Sequence, residues 1–156
     1  MVGFSPHWNI VMHRLPLAAS AVAAGLLLIA SPAAAQAAPG HTVSLTFETG
    51  AGTGAVMVVL YDSEAGYAGG PPVGHRRLDV AAGERTATFE GLAAGDYAAK
   101  AFHDIDGDGE MDANPFGMPT EPYAFSNNAV GNMGPASWDR ARFTVSGPTA
   151  QTIRLR

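Results

Sequence analysis

The sequence predicts an all-β protein, an antiparallel β-sandwich of about seven strands interrupted by one long irregular loop. Three observations predict it. Short runs either alternate apolar with polar residues or are wholly apolar and rich in valine. Glycine- and proline-bearing turns punctuate those runs at close spacing. No stretch beyond the N-terminal segment reads as an amphipathic helix, so the apolar faces must be buried sheet against sheet.

The chain opens on a segment that is expected to be removed. Residues 1–14 form a weakly basic head, Leu15 to Ala30 an apolar run, and SPAAAQAAPG supplies small residues at the spacing that signal peptidases require. A signal peptide over residues 1–35 follows, with cleavage after Ala35 or after Ala37. The run of 16 residues falls short of the ~20 that span a bilayer. Export to a bacterial periplasm or beyond, with no membrane span after signal removal, is therefore the expectation, and residues 36–156 are expected to form a single β-sandwich domain.

His41 to Glu48 (HTVSLTFE) alternates Val43, Leu45 and Phe47 against polar neighbours, the mark of a half-buried strand. Ala55 to Tyr61 (AVMVVLY) is continuously apolar and too short for a helix, hence a central strand with two faces to cover. Asp62 to His75 is a loop, with a short helical turn around Ser63 to Gly66. Arg76 to Val80 is a weak strand, and Arg85 to Phe89 alternates again. Along Tyr97 to His103, residues Tyr97, Ala99, Ala101 and His103 share one face, while Ala98, Lys100 and Phe102 share the other, wetter one. Ala113 to Ser137 lacks regular pattern, yet Phe116, Tyr123 and Phe125 favour a packed loop over disorder. Arg140 to Ser146 and Ala150 to Arg156 are expected to close the chain as a terminal hairpin.

After leader removal eight Arg and Lys stand against fourteen Asp and Glu, a formal charge of −6. Nucleic acid is excluded as a natural partner, because phosphate binding needs the opposite sign. The absence of cysteine leaves the exported domain without disulfides, so a packed core must hold it, with or without help from a metal.

The acidic stretch His103 to Asp112 (HDIDGDGEMD) carries the most chemistry. Asp104, Asp106, Asp108, Glu110 and Asp112 fall at every second position around two glycines. Unpaired neighbours of this kind repel by about 1 kcal/mol per pair at ~4 Å even in water. Calcium, which takes 6–8 oxygen ligands from flexible loops, is the expected counter-charge; magnesium suits an all-protein oxygen cage less well. Asp104-x-Asp106-x-Asp108-Gly109-x-x-Asp112 is similar to the first nine positions of an EF-hand or dockerin loop, with Glu110 offering its carbonyl. The match departs at the twelfth position, where Pro115 stands for the bidentate acid, and a strand precedes the loop in place of a helix. Glu121 is a candidate for the missing ligand. An ion-free Asp/Gly turn is the competing reading, since these residues suit turns for their own reasons.

The Gly-Leu turn and Gly-x-Tyr strand of GLAAGDYAAKAFHD resemble the transthyretin-like or Cna-B-like sandwiches, which implies a prealbumin-like or immunoglobulin-like architecture. More narrowly, VVLYDSEAGY, FEGLAAGDYAAKAFHDIDGDGEMD, GMPTEPYAFSNNA and the closing FTV and TIRL resemble the bacterial secreted family called domain of unknown function 2141, over about residues 43 to 155. The resemblance implies fold and export and assigns no activity.

The remaining candidates are His103, Tyr123, Phe125, Asn127, Asn128 and Trp138. His103 could serve with Asp104 and Glu121 in a metal-assisted hydrolase, but a rim histidine bonded to a neighbouring acceptor is the commoner case. Tyr123, Phe125 and Trp138 could form a platform for carbohydrate or peptide, or plug one end of the sandwich. Asn127 and Asn128 could meet a ligand or cap loop backbone. No HExxH, GxSxG elbow or phosphate loop occurs. The residues thus favour a non-catalytic module with a calcium-binding or calcium-stabilised loop over an enzyme or a self-assembling surface component.

Overall fold

The computed structural model describes residues 40–156, and the predicted leader lies outside them. Eight strands follow in order: β1 (His41–Glu48), β2 (Ala55–Tyr61), β3 (Gly74–Asp79), β4 (Thr86–Leu92), β5 (Gly95–Asp104), β6 (Tyr123–Phe125), β7 (Phe143–Val145) and β8 (Thr149–Arg154). Two single-turn helices, α1 (Glu64–Tyr67) and α2 (Trp138–Ala141), complete the elements together with a 3₁₀ turn at Ser126–Asn128. Ser63 starts α1 as expected of an N-cap, its hydroxyl accepting from the amide of Gly66 at 3.3 Å.

The strands form two sheets. One is ordered β4-β1-β8; the other is β3-β2-β5-β6, with β7 also on β5. The period-2 pattern decides what lies between them. Val43, Leu45 and Phe47 of β1, Ala87 and Phe89 of β4, and Ile153 of β8 pack in one core with Val56, Val58 and Leu60 of β2 and Tyr97, Ala99 and Ala101 of β5. The prediction of an all-β sandwich holds, and alternation located its core.

Three details differ from the sequence reading. The expected terminal hairpin does not form. β7 runs antiparallel to β5, pairing Gly95–Tyr97, whereas β8 runs parallel to β1, pairing Val43–Glu48 with Thr149–Arg154. The turn at Gly147-Pro148 carries the chain from one sheet to the other, so two adjacent strands join different partners. One parallel pair therefore sits in an otherwise antiparallel sandwich. Second, Arg140 and Ala141 belong to α2, not to a strand, because the amides of Arg140 and Ala141 close onto the carbonyl of Ser137. Third, the loop predicted over 113–137 contains β6, which pairs Tyr123–Phe125 with Phe102–Lys100 on the β5 edge that β7 also uses.

β7 is only three residues long and is tied down by side chains. Asp96 accepts from the Thr144 hydroxyl at 2.6 Å and from Arg142 at 2.8 Å. Those two hydrogen bonds, Thr144 first, hold its carboxyl below the ordinary range.

The sandwich covers one face of β2, and α1 together with the segment after β5 covers part of the other. Tyr67, Ala98, Phe125, Ala136 and Ala141 form a second buried cluster on the outer face of the larger sheet, with Tyr61, Ala129 and Trp138 packed against it. Tyr61 and Trp138 meet the Tyr67 ring edge-on at 5.7 and 5.8 Å, and the Tyr67 hydroxyl donates to the carbonyl of Ala136 at 2.9 Å. The long segment thus packs through Phe125 and Trp138, whereas Phe116 and Tyr123, two of the three aromatics from which packing is expected, are exposed.

Candidate functional site

The acidic loop leaves the sheet at the end of β5. Alternation sends His103 and Asp104 to opposite faces there, and both are fully buried. The His103 ring Nε2 lies 2.7 Å from the carbonyl of Thr53; a carbonyl only accepts, so Nε2 carries the proton. Its Nδ1 has no partner among the described residues. The bond pins the glycine turn before β2 against the end of β5. At Gly54, whose φ is +80°, a Cβ would run into the carbonyl of Asp104, so the close approach requires glycine. His103 therefore serves the junction of two elements and is not brought together with the carboxylates of the loop.

Asp104 organises the loop from beneath. Its Oδ1 accepts from the amide of Gly107 at 2.8 Å and its Oδ2 from that of Gly109 at 3.2 Å. Both glycines have positive φ, +86° and +83°, which lets the chain curl over the buried carboxylate. Asp106 accepts from the amide of Asp108 at 3.3 Å, and Asp108 from that of Glu110 at 2.8 Å, each a local Asx turn. The curl brings carboxylate oxygens of Asp104, Asp106 and Asp108 within 4.8 Å of one another. Glu110 and Asp112 are exposed and lie outside this group.

Glu121 does fold back onto the loop. One of its oxygens accepts from the amide of Ile105 at 2.8 Å and the other from that of Asp112 at 3.3 Å, so it bridges the two ends of the loop. It reaches there because Asp112 to Thr120 makes a small hairpin: Thr120 donates to Asp112, Asn114 to Met118, and Ala113 bridges Pro119. Glu121 closes the loop and stands outside the converging group of three. Among the described residues the ion pairs are Arg142 with Asp96 and Asp139, and Arg154 with Glu48. None reaches the acidic loop.

Asn127 and Asn128 cap backbone. Both adopt left-handed φ, 59° and 53°, which asparagine tolerates better than most residues. The Asn127 amide donates to the carbonyls of Arg140, Ala141 and Arg142, the shortest at 2.8 Å, and so closes α2. Asn128 donates to the Thr152 carbonyl at 2.9 Å and accepts from the Arg154 amide at 2.8 Å, which mimics a strand against the free edge of β8. The buried Ser126 hydroxyl accepts from Ala99 and donates to Ala141. This Ser-Asn-Asn turn joins the two sheets, a role that only its contacts reveal.

Phe125 is buried and Trp138 half-buried in the second cluster, so those two rings pack the segment against the sheet. Tyr123 is exposed and meets Phe125 edge-on at 5.8 Å. Beside it opens a cleft of about 560 Å³ on the outer face of the larger sheet. Its floor is Met57, Val59 and Tyr61 of β2 with Lys100 and Phe102 of β5; Met111, Met118 and Pro119 overhang one side and Met133 to Pro135 the other. Sequence reading missed this cleft. The outward positions 57, 59 and 61 were legible as a second apolar face, but where the irregular segment would leave that face uncovered was not.

No helix among the described residues is long and apolar enough to cross a membrane. No curated protein and no solved structure matches the chain. A family model does match, over residues 48–154, which takes in every strand but the first and the whole acidic loop. The chain accordingly belongs to the family described as uncharacterized protein conserved in bacteria, domain of unknown function 2141.

Proposed function

We propose that the protein is an exported, non-catalytic β-sandwich module whose acidic loop binds calcium. The observation that carries the reading is the convergence of Asp104, Asp106 and Asp108 within 4.8 Å with no cationic side chain among the described residues paired to them. Asx turns account for the shape of the loop without an ion. They do not offset the repulsion, about 1 kcal/mol per pair at 4 Å in water and about 4 at the effective dielectric near a protein surface. A divalent ion removes that cost, and hard carboxylate oxygens on a flexible loop suit calcium. Binding would fasten the segment from Ala113 to Ser137 that forms the outer wall of the larger sheet.

The affinity expected of an extracellular module is weak, with Kd of order 10⁻⁴ to 10⁻³ M. Calorimetric titration and thermal melting of the full chain test it together. Millimolar calcium should raise the melting temperature, a chelator should reverse the rise, and Asp106→Ala with Asp108→Ala should abolish the difference. An unchanged melting curve at millimolar calcium would leave the loop as an ion-free turn.

A further inference from the structure

The cleft beside Tyr123 is a second site, distinct from the three converging carboxylates, although Met111 of the acidic stretch lines it. Its volume of about 560 Å³ falls in the range of ligand pockets and far exceeds a packing defect. All four methionines of residues 40–156, namely Met57, Met111, Met118 and Met133, line it. Unbranched, polarisable thioethers adapt to apolar ligands of varied shape, which suits a binding surface better than a rigid core. Met118 and Met133 stand exposed at its mouth.

One lining residue is charged. Lys100 Nζ donates to the carbonyl of Tyr67 at 2.6 Å and lies 4.2 Å from the Tyr67 ring and 5.3 Å from the Tyr61 ring. Among the described residues it has no carboxylate partner. An ammonium has three donors, and the carbonyl takes one. Desolvation by burial draws its pKa below the ordinary lysine value, so the charge sits there at a cost that an anion would relieve. Apart from this cation and the hydroxyls of Tyr61 and Tyr123, the lining side chains are apolar.

We propose that the cleft binds a small amphipathic carboxylate, its apolar body among the methionines and its acid group on Lys100. The cleft has room for an aliphatic acid of about eight to twelve carbons. Recognition is by shape-tolerant apolar contact plus one charge-assisted hydrogen bond. None of the three converging carboxylates lines the cleft, but Met111, Met118 and Met133 belong to the acidic stretch and to the segment that an ion there would fasten, so the test is read with and without calcium.

The test is a titration of the full chain, labelled with ¹³C at the methionine methyl groups, with decanoate and with decan-1-ol, once in millimolar calcium and once in chelator. Reading both conditions separates its outcome from that of the calcium reading: failure in both overturns the cleft proposal whatever the loop binds. Decanoate should move the methyl signals of Met57, Met111, Met118 and Met133 and bind about tenfold tighter than the alcohol. Lys100→Met should remove that preference and leave decan-1-ol binding unchanged. Met118→Glu, on the exposed rim where folding is not at stake, should weaken decanoate at least about fivefold by like-charge repulsion and spare the alcohol. Equal binding of acid and alcohol, unmoved methyl signals, or a Met118→Glu protein that keeps its affinity for decanoate would overturn the proposal.

Discussion

Asp104 shows how one side chain can carry two tasks. Fully buried, it accepts two backbone amides and so shapes the loop whether or not an ion is present. Its negative charge is also the innermost of the three that converge. Substitution separates the tasks. Asp104→Ala strands the amides of Gly107 and Gly109 and should lower stability in chelator by about 1–3 kcal/mol, read from urea unfolding. Asp104→Asn keeps an acceptor oxygen, so it should lose less in chelator and still lose the response to calcium. An asparagine variant that keeps its calcium-dependent melting shift would remove Asp104 from the ligand set.

Among the elements, the packed outer segment depends on a few fastenings. Tyr67, at the end of α1, reaches across to the Ala136 carbonyl and is sheathed by Tyr61 and Trp138. Burial, with the nearby Tyr61 phenol adding to it, pushes the Tyr67 hydroxyl up to about 12 from an ordinary 10.0. A folded-state pKa above the unfolded one means that the folded protein holds this proton more tightly. The contribution to stability is then fully present below pH 10 and is lost as pH rises through about 12. Urea midpoints measured at pH 8 and pH 11 should therefore fall with alkalinity. Tyr67→Phe, which cannot ionise, should show a smaller fall; an identical fall would place the alkaline sensitivity elsewhere.

For the whole molecule, the decisive contact is that of its first strand with its last. β1 is the centre of its sheet, and β8 supplies both its parallel partner and Ile153, which lies opposite Phe47 in the register. Burying side chains of this size is worth about 1.5–3 kcal/mol each, and Ile153 and Leu155 are both in the core. Deleting residues 149–156 should therefore abolish the cooperative thermal transition and the near-ultraviolet circular dichroism of the packed aromatics. Retention of a sharp transition would show that the β1–β4 pair closes the sandwich alone. Pairing between distant chain ends also predicts folding in milliseconds to seconds, because the loop must close before those contacts reward it.

By itself the sequence determined most of the strands, the two apolar faces of Ala55–Tyr61 and the crowding of aspartates at the end of Gly95–Asp104. These are local properties, legible because side chains alternate strictly along a strand and because glycine and aspartate set turns by their own conformational preferences. Tertiary structure alone decided that Gly147-Pro148 switches sheets in place of closing a hairpin. It also turned His103 into the interior, made Asn127 and Asn128 staples, and set Glu121 across the ends of the acidic loop. Each of these depends on partners nine or more residues away along the chain, and hydrogen bonds at such separation leave no period in it. The cleft belongs with them, since an unfilled space is a property of what surrounds it and no single residue encodes it.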